Sequence, residues 1–120
     1  ELKTYILDGR LPYLMIDCAQ SGETVGYTGF IENDETGGMD ILICICPGSR
    51  RKGFAKEALN LMAEKWESHN SEKPVTISTS PENLKAISLI ERCGFIFKKT
   101  YNKIPGFNFK MNVYVRNKRT

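Results

Sequence analysis

The stretch from Met39 to Thr79 constrains this chain more than any other. "MDILICI" is an almost continuous apolar run, rich in isoleucine, and "CPGS" stops it. Such a run predicts a central strand covered on both faces. Beyond the stop, Phe54, Ala58, Met62 and Trp66 recur every four residues, with Ala55 and Leu59 beside them. That spacing draws one apolar stripe and predicts a long helix from about Arg51 to Ser68. Glu57, Glu64, Glu67, Lys56 and Lys65 then share its outer surface. Pro74 opens "PVTISTS", a short strand. Strand, helix and strand in this order form a crossover, so the two strands should be parallel and the connection right-handed.

The flanks add strands and one more helix. "LKTYIL", "LPYLMIDCA" and "ETVGYTGFIE" read as strands, the last with Val25, Tyr27, Gly29 and Ile31 on one side. "DGR" and "NDETGG" read as turns. In the second helix Ser80 is placed to cap, Pro81 suits the first helical position, and Glu82 favours the positive end. Ala86, Ile90 and Cys93 line one side with Ile87 next to them; Arg92 suits the negative end and Gly94 the left-handed stop. "FIFKKTYN", a "KIPG" turn and "FNFKMNVYV" complete the chain. In the last run Phe107, Phe109, Met111, Val113 and Val115 alternate with polar residues. The sum is a mixed α/β domain with helices packed on a sheet. A length of 120 residues suits one domain, 1–120, with a short N-terminal segment (1–22) and a core (23–115).

Composition narrows the function classes. A net charge of +3 is too weak and too dispersed to predict a nucleic-acid partner. No run reaches the roughly 20 apolar residues of a membrane span. Cys18, Cys44, Cys46 and Cys93 form no C-x-x-C pair, and His69 is the single histidine. No metal site is expected from such a set. Buried free thiols of a reducing compartment are the simpler reading, which places the protein in the cytoplasm.

The unusual feature is "PGSRRKGFA" (residues 47–55). Arg50, Arg51, Lys52, Gly53, Phe54 and Ala55 read as the first turn of the long helix. The opening N–H groups of a helix lack internal partners and the dipole there is positive. Basic residues at that end are unfavourable by about 0.3–1 kcal/mol each, so the cluster calls for an offsetting anion. Gly53 and Ala55 leave the backbone accessible to a phosphate. Neither a G-K-S/T ending nor G-x-G-x-x-G is present, so this is not a nucleotide loop of the familiar kinds.

"ICPGSRRKGFAKEAL" resembles motif A of the GNAT acyltransferases, (R/Q)-x-x-G-x-(G/A) after a strand, here Arg50-x-x-Gly53-x-Ala55. "NLKAISLIERCGF" resembles motif B of the same superfamily through Asn83, Ala86, Leu89, Gly94 and Phe95, and is closest to the branch that acetylates ribosomal-protein N-termini. The resemblance implies a GNAT-like mixed sheet that binds acetyl-CoA. The pyrophosphate would lie on the N–H groups of Arg50 to Ala55, and pantetheine beside Ile43, Cys44 and Ile45 where two strands splay. Asn83 would reach the cofactor; its alternative is a cap or first-turn polar residue. The implied reaction is direct attack by a primary amine, of a small molecule or a protein N-terminus, with an N–H near Ile45 stabilising the oxyanion. A non-catalytic acyl-CoA-binding domain of the same fold is the alternative. A homodimer is compatible with either.

Three departures from the family pattern stand out. The tyrosine acid of many members is replaced by Ile90, and the nearby Ser88 and Cys93 read as structural. The glutamate base that some members place early in the motif A strand falls on Met39; Asp40 beside it is the candidate base, needing a bulge to turn inward, and otherwise faces water. The strand and two helices that usually precede "GETVGYTGF" are short or missing, since only residues 1–22 come before it.

Overall fold

The computed structural model describes residues 2–5, 13–33, 37–69, 73–101 and 110–116. The elements are strands β1 (Leu2–Tyr5), β2 (Tyr13–Asp17), β3 (Thr24–Asn33) and β4 (Gly38–Ile45), helix α1 (Phe54–His69), strand β5 (Val75–Thr79), helix α2 (Leu84–Arg92), and strands β6 (Ile96–Tyr101) and β7 (Met111–Arg116). They form one seven-stranded sheet in the order β1-β2-β3-β4-β5-β7-β6. Every neighbouring pair is antiparallel except β4 and β5, the pair joined through α1, which is parallel as the crossover requires. The turns expected at "DGR" and "KIPG", and the strand residues Phe107 and Phe109, lie outside the described residues.

Register assigns the faces. Gly26, Thr28 and Phe30 stand opposite Ile45, Ile43 and Ile41. These positions face α1: Phe30 meets Trp66 at 5.4 Å between ring centroids. Leu14, Ile41 and Val75 share one buried cluster with Leu59, Met62 and Ala63 of α1 and with Ile90, Cys93 and Phe95 at the end of α2. Both helices therefore cover the same face of the sheet. Leu59 and Met62 are fully buried, where truncation to alanine costs about 2–5 kcal/mol.

The opposite face differs from the expectation of a strand covered on both sides. Along β4, Met39, Ile41 and Ile45 are buried, Asp40 and Leu42 only partly, and Cys44 is exposed. Tyr27 and Ile31, on the same face as Cys44 and Asp40, are 40% and 44% exposed. Val25 leaves the side it was expected to share with Tyr27, Gly29 and Ile31 and joins Ile16, Ile45 and Ala58 under α1. The cause is an irregularity in the β2–β3 ladder between Ile16 and Asp17, which breaks the alternation that pattern reading assumes.

The short N-terminal segment supplies two strands. β1 pairs with β2 from Leu2↔Ile16 to Tyr5↔Tyr13.

The α2 boundary also moves. Ser80 does not cap the helix; its Oγ accepts from Glu82 N at 3.3 Å in a preceding turn. Asn83 is the cap, with Oδ1 accepting from Ala86 N at 3.2 Å. The far end is as expected. Gly94 has φ +86, its N–H reaches Glu91 O at 3.1 Å, and Phe95 N reaches Ile90 O at 3.3 Å. These two bonds make a Schellman stop.

Candidate cofactor site

The site begins where two strands part. The β3–β4 ladder runs unbroken from Asn33↔Gly38 to Gly26↔Ile45. On the other side, β4 pairs with β5 only at Met39↔Val75 and Asp40↔Thr76. From Ile41 to Ile45 the β5 side of β4 therefore has no ladder. Ile43, Cys44 and Ile45 border this gap, where an extended ligand could pair with the strand backbone.

The charged turn follows. Pro47–Ser49 forms one turn of 3₁₀ helix, closed by Ser49 N to Cys46 O at 2.8 Å. Arg51 has φ +68 and Gly53 φ +85. Both are left-handed, so the expectation that Arg50 to Ala55 form the first helical turn is corrected. α1 starts at Phe54, and its first bond runs from Glu57 N to Gly53 O at 3.1 Å. The cations lie in the turn ahead of the helix. A left-handed non-glycine residue is uncommon, and left-handed turns of this sort gather N–H groups into an anion-binding concavity. Beside it the N–H groups of Phe54, Ala55 and Lys56 have no carbonyl four residues back within the helix. A Cβ on Gly53 would meet nothing within 4 Å. Backbone conformation, not crowding, selects glycine there, and the space before it is open.

That space is a cavity of about 770 Å³ between the turn and α2. The turn side contributes Ile45, Ser49, Arg50, Arg51, Gly53, Phe54, Ala55 and Lys56. The α2 side contributes Leu84, Lys85, Ala86, Ser88, Leu89 and Arg92. Among the described residues no acidic side chain lines it, and Arg50 Nε donates to Ile45 O at 3.3 Å, tying the guanidinium to the strand end. Lys52 lines a neighbouring cavity of about 540 Å³ instead, with Cys18, Glu23 and Glu57. Ser21 Oγ–H and the N–H groups of Ser21 and Gln20 pull the Cys18 thiol below its ordinary range, with a smaller contribution from Lys52. Burial pushes the Cys93 thiol up.

Sequence reasoning named Ile45, Arg50, Arg51, Gly53, Phe54 and Ala55 on the turn side of this cavity and missed Ser49, Lys56 and the α2 side. Lys56, Lys85 and Arg92 carried a signal, since Lys85 and Arg92 are two helical turns apart and share a face. Ser88, read as structural, lines the cavity. Ile43, Cys44 and Asn83 do not. Asn83 is exposed and caps α2. Ile90 is 2% exposed in the core, with no donor to offer.

Asp40 needs no bulge. The ladder passes through it regularly as Ile31↔Asp40, and its side chain lies on the face away from the helices, partly buried rather than in water. Thr76 Oγ1 donates to Oδ1, and Ser78 Oγ to Oδ2 at 3.3 Å. Among the described residues no cluster suits a metal ion, and no helix is long and apolar enough to cross a membrane.

Known proteins place this geometry in a family. Residues 3–96 match the family described as acetyltransferase (GNAT) domain. No curated protein matches the chain. Among solved structures, a GNAT-family acetyltransferase from Bacillus anthracis superposes with a TM-score of 0.75 at 17% identity, over 88% of this chain and 66% of its own. Spermidine N-acetyltransferase from Vibrio cholerae, a dodecamer, gives 0.75 at 23% identity, over 92% and 67%. The microcin self-immunity acetyltransferase MccE, solved with acetyl-CoA and AMP, gives 0.74 at 20% identity, over 89% and 61%. The chain thus spans about two thirds of the length of these structures. With the strand order, the splayed β4–β5 pair and the basic turn, the match over residues 3–96 establishes that this chain belongs to the GNAT acetyltransferase family.

Proposed function

We propose that this domain binds acetyl-CoA and transfers the acetyl group to a primary amine by direct attack. The observation that carries the reading is the left-handed turn at Arg51 and Gly53, opening onto a cavity to which the described residues bring cations and no carboxylate. A diphosphate fits such a turn through backbone N–H groups and through Arg50 and Arg51. Phe54 and Ala55 supply the helix-end donors. Pantetheine would follow the unladdered edge of β4 at Ile43, Cys44 and Ile45. There a strand N–H near Ile45 meets the developing oxyanion.

Asp40 is the candidate base. It lies five residues before Ile45, about 16 Å along the strand. Direct proton transfer over that span is excluded, so the proton must pass through water. Ile90 leaves the departing thiolate without an acid at the family position. A thiol of ordinary pKa, about 8.5, leaves tolerably near neutral pH without one. The face around Asp40, Tyr27 and Ile31, which neither described helix covers, is open to the amine, a small molecule, a polyamine included, or a protein N-terminus.

Release of free thiol from acetyl-CoA across a panel of amines tests the reading, and thiol release with at least one acceptor is expected. The second reading, an acyl-CoA-binding domain without turnover, is favoured by one observation, the burial of Ile90 at the acid position. Tight CoA binding with no acceptor consumed would select it.

A further inference from the structure

We propose that Arg116, at the far end of the chain from the basic turn, is a positioning residue for the cofactor cavity. Its guanidinium clamps the C-terminal end of α2 to α1 and so sets how far α2 stands from the turn. The proposal rests on the cofactor reading above.

Arg116 joins three elements from the end of β7. Its Nη1 donates to Cys93 O at 3.1 Å and to Asn60 Oδ1 at 3.3 Å, and its Nη2 meets Glu67 Oε1 at 3.2 Å. Asn60 and Glu67 lie two turns apart along α1, and Cys93 is the residue that ends α2. Both charged side chains are 14% exposed, so water does little of this work. A pair built for stability alone would turn two nitrogens onto the carboxylate, as bidentate arginine pairs do. Here Glu67 Oε2 is buried and accepts no hydrogen bond among the described residues. The nitrogen that could have met it is turned to the Asn60 amide oxygen and the α2 carbonyl instead.

That carbonyl matters because α2 is fastened at one end. Ile90 is the buried residue of the helix, and Cys93 and Phe95 just past it are 4% and 3% exposed. Leu84, at the other end, is 72% exposed. Cys93 Sγ also lies 3.9 Å from Lys56 O, in the first turn of α1, and Lys56 lines the cavity. A rod held at one end pivots there. A small slip at Cys93 becomes a larger one at Leu84, about 13 Å along the axis.

The test is calorimetric titration of CoA and of inorganic pyrophosphate into the wild type, Arg116→Lys, Asn60→Ala and Glu67→Gln, each with a thermal melt. Arg116→Lys keeps a cation facing Glu67 but lacks the planar fork that reaches Cys93 O and Asn60 together. It should weaken CoA by about tenfold and pyrophosphate, which needs only the turn, by less than about twofold. Asn60→Ala, which loosens the guanidinium without removing a charge, should weaken CoA by about threefold and keeps the test open if the lysine variant does not fold. Glu67→Gln leaves the Cys93 clamp in place. It should lower the melting temperature and hold CoA affinity within about twofold. Unchanged CoA affinity in the folded Arg116 and Asn60 variants, or parallel weakening of CoA and pyrophosphate, overturns the positioning role and leaves the cofactor reading standing. A wild type that binds neither ligand overturns both.

Discussion

The two helices of this fold open in opposite ways. α2 is capped from within: Asn83 turns its side-chain oxygen onto Ala86 N–H. α1 opens on a left-handed glycine, Gly53, which has no side chain to cap with, and arginines and a lysine stand ahead of it. A capped end is a finished structural element. An uncapped end fronting a basic cavity leaves its donors for something else. The same backbone physics closes one helix end and leaves donors open at the other.

The largest test of this contrast is Gly53→Glu. It places a carboxylate where phosphate should sit, and CoA affinity should fall by more than about a hundredfold in titration. The left-handed φ adds a folding cost of about 1–2 kcal/mol. Gly53→Asn, whose side chain tolerates that conformation better, is the control. It should fold nearly as well as wild type, and it separates charge from strain in a thermal melt. Unchanged CoA affinity in Gly53→Glu would remove the phosphate from this turn.

Arg51→Gly should move stability and binding in opposite directions. Glycine accepts φ +68 readily, so thermal unfolding should rise by up to about 1 kcal/mol while CoA affinity drops. A loss of both would mean that the arginine is held by packing. At the other helix, Asn83→Ala should cost about 1 kcal/mol of stability through the lost cap. Asn83→Asp preserves the accepting oxygen and should restore it. If CoA affinity falls in the Asp variant, the Asn83 amide also reaches the cofactor and the contrast between the helices weakens.

The smallest effect concerns the neighbouring cavity. Cys18 should be alkylated at lower pH than an ordinary thiol, because hydrogen bonds from Ser21 and Gln20 favour its thiolate. Lys52→Ala should raise the midpoint of that pH profile slightly, since the Lys52 charge lowers the thiol less than the hydrogen bonds from Ser21 and Gln20 do. Cys93, buried and shifted upward, should remain unlabelled in the folded chain.

Much of the fold was legible in the chain because its signals are local. The α1 stripe, the parallel crossover and the Gly94 stop follow from side-chain spacing and from glycine's freedom at positive φ. Helix starts were less legible. Ser80-Pro81-Glu82 carries every sign of a first turn, yet its Ser80 hydroxyl closes a separate turn and Asn83 takes the cap. The charged stretch looked helical because α1 continues its apolar stripe, and only the left-handed φ of Arg51 and Gly53 separates turn from helix. Asp40 was misjudged for a different reason. Its orientation depends on registry with β3 and β5, and its partners Thr76 and Ser78 are more than thirty residues away.

The sequence by itself determined that a strand ends in a basic, glycine-containing turn ahead of a long helix, and that motifs A and B follow in order. Those are properties of neighbouring residues. Only the tertiary structure decided that α2 lies across the cavity from the turn, bringing Lys85 and Arg92 to the wall opposite Arg50 and Arg51. Likewise only the fold parted β4 from β5 after Asp40 and left the opposite face without a helix among the described residues. The reason is physical. A charge cluster is written in the chain, but which two clusters share one cavity depends on how both helices settle on the sheet.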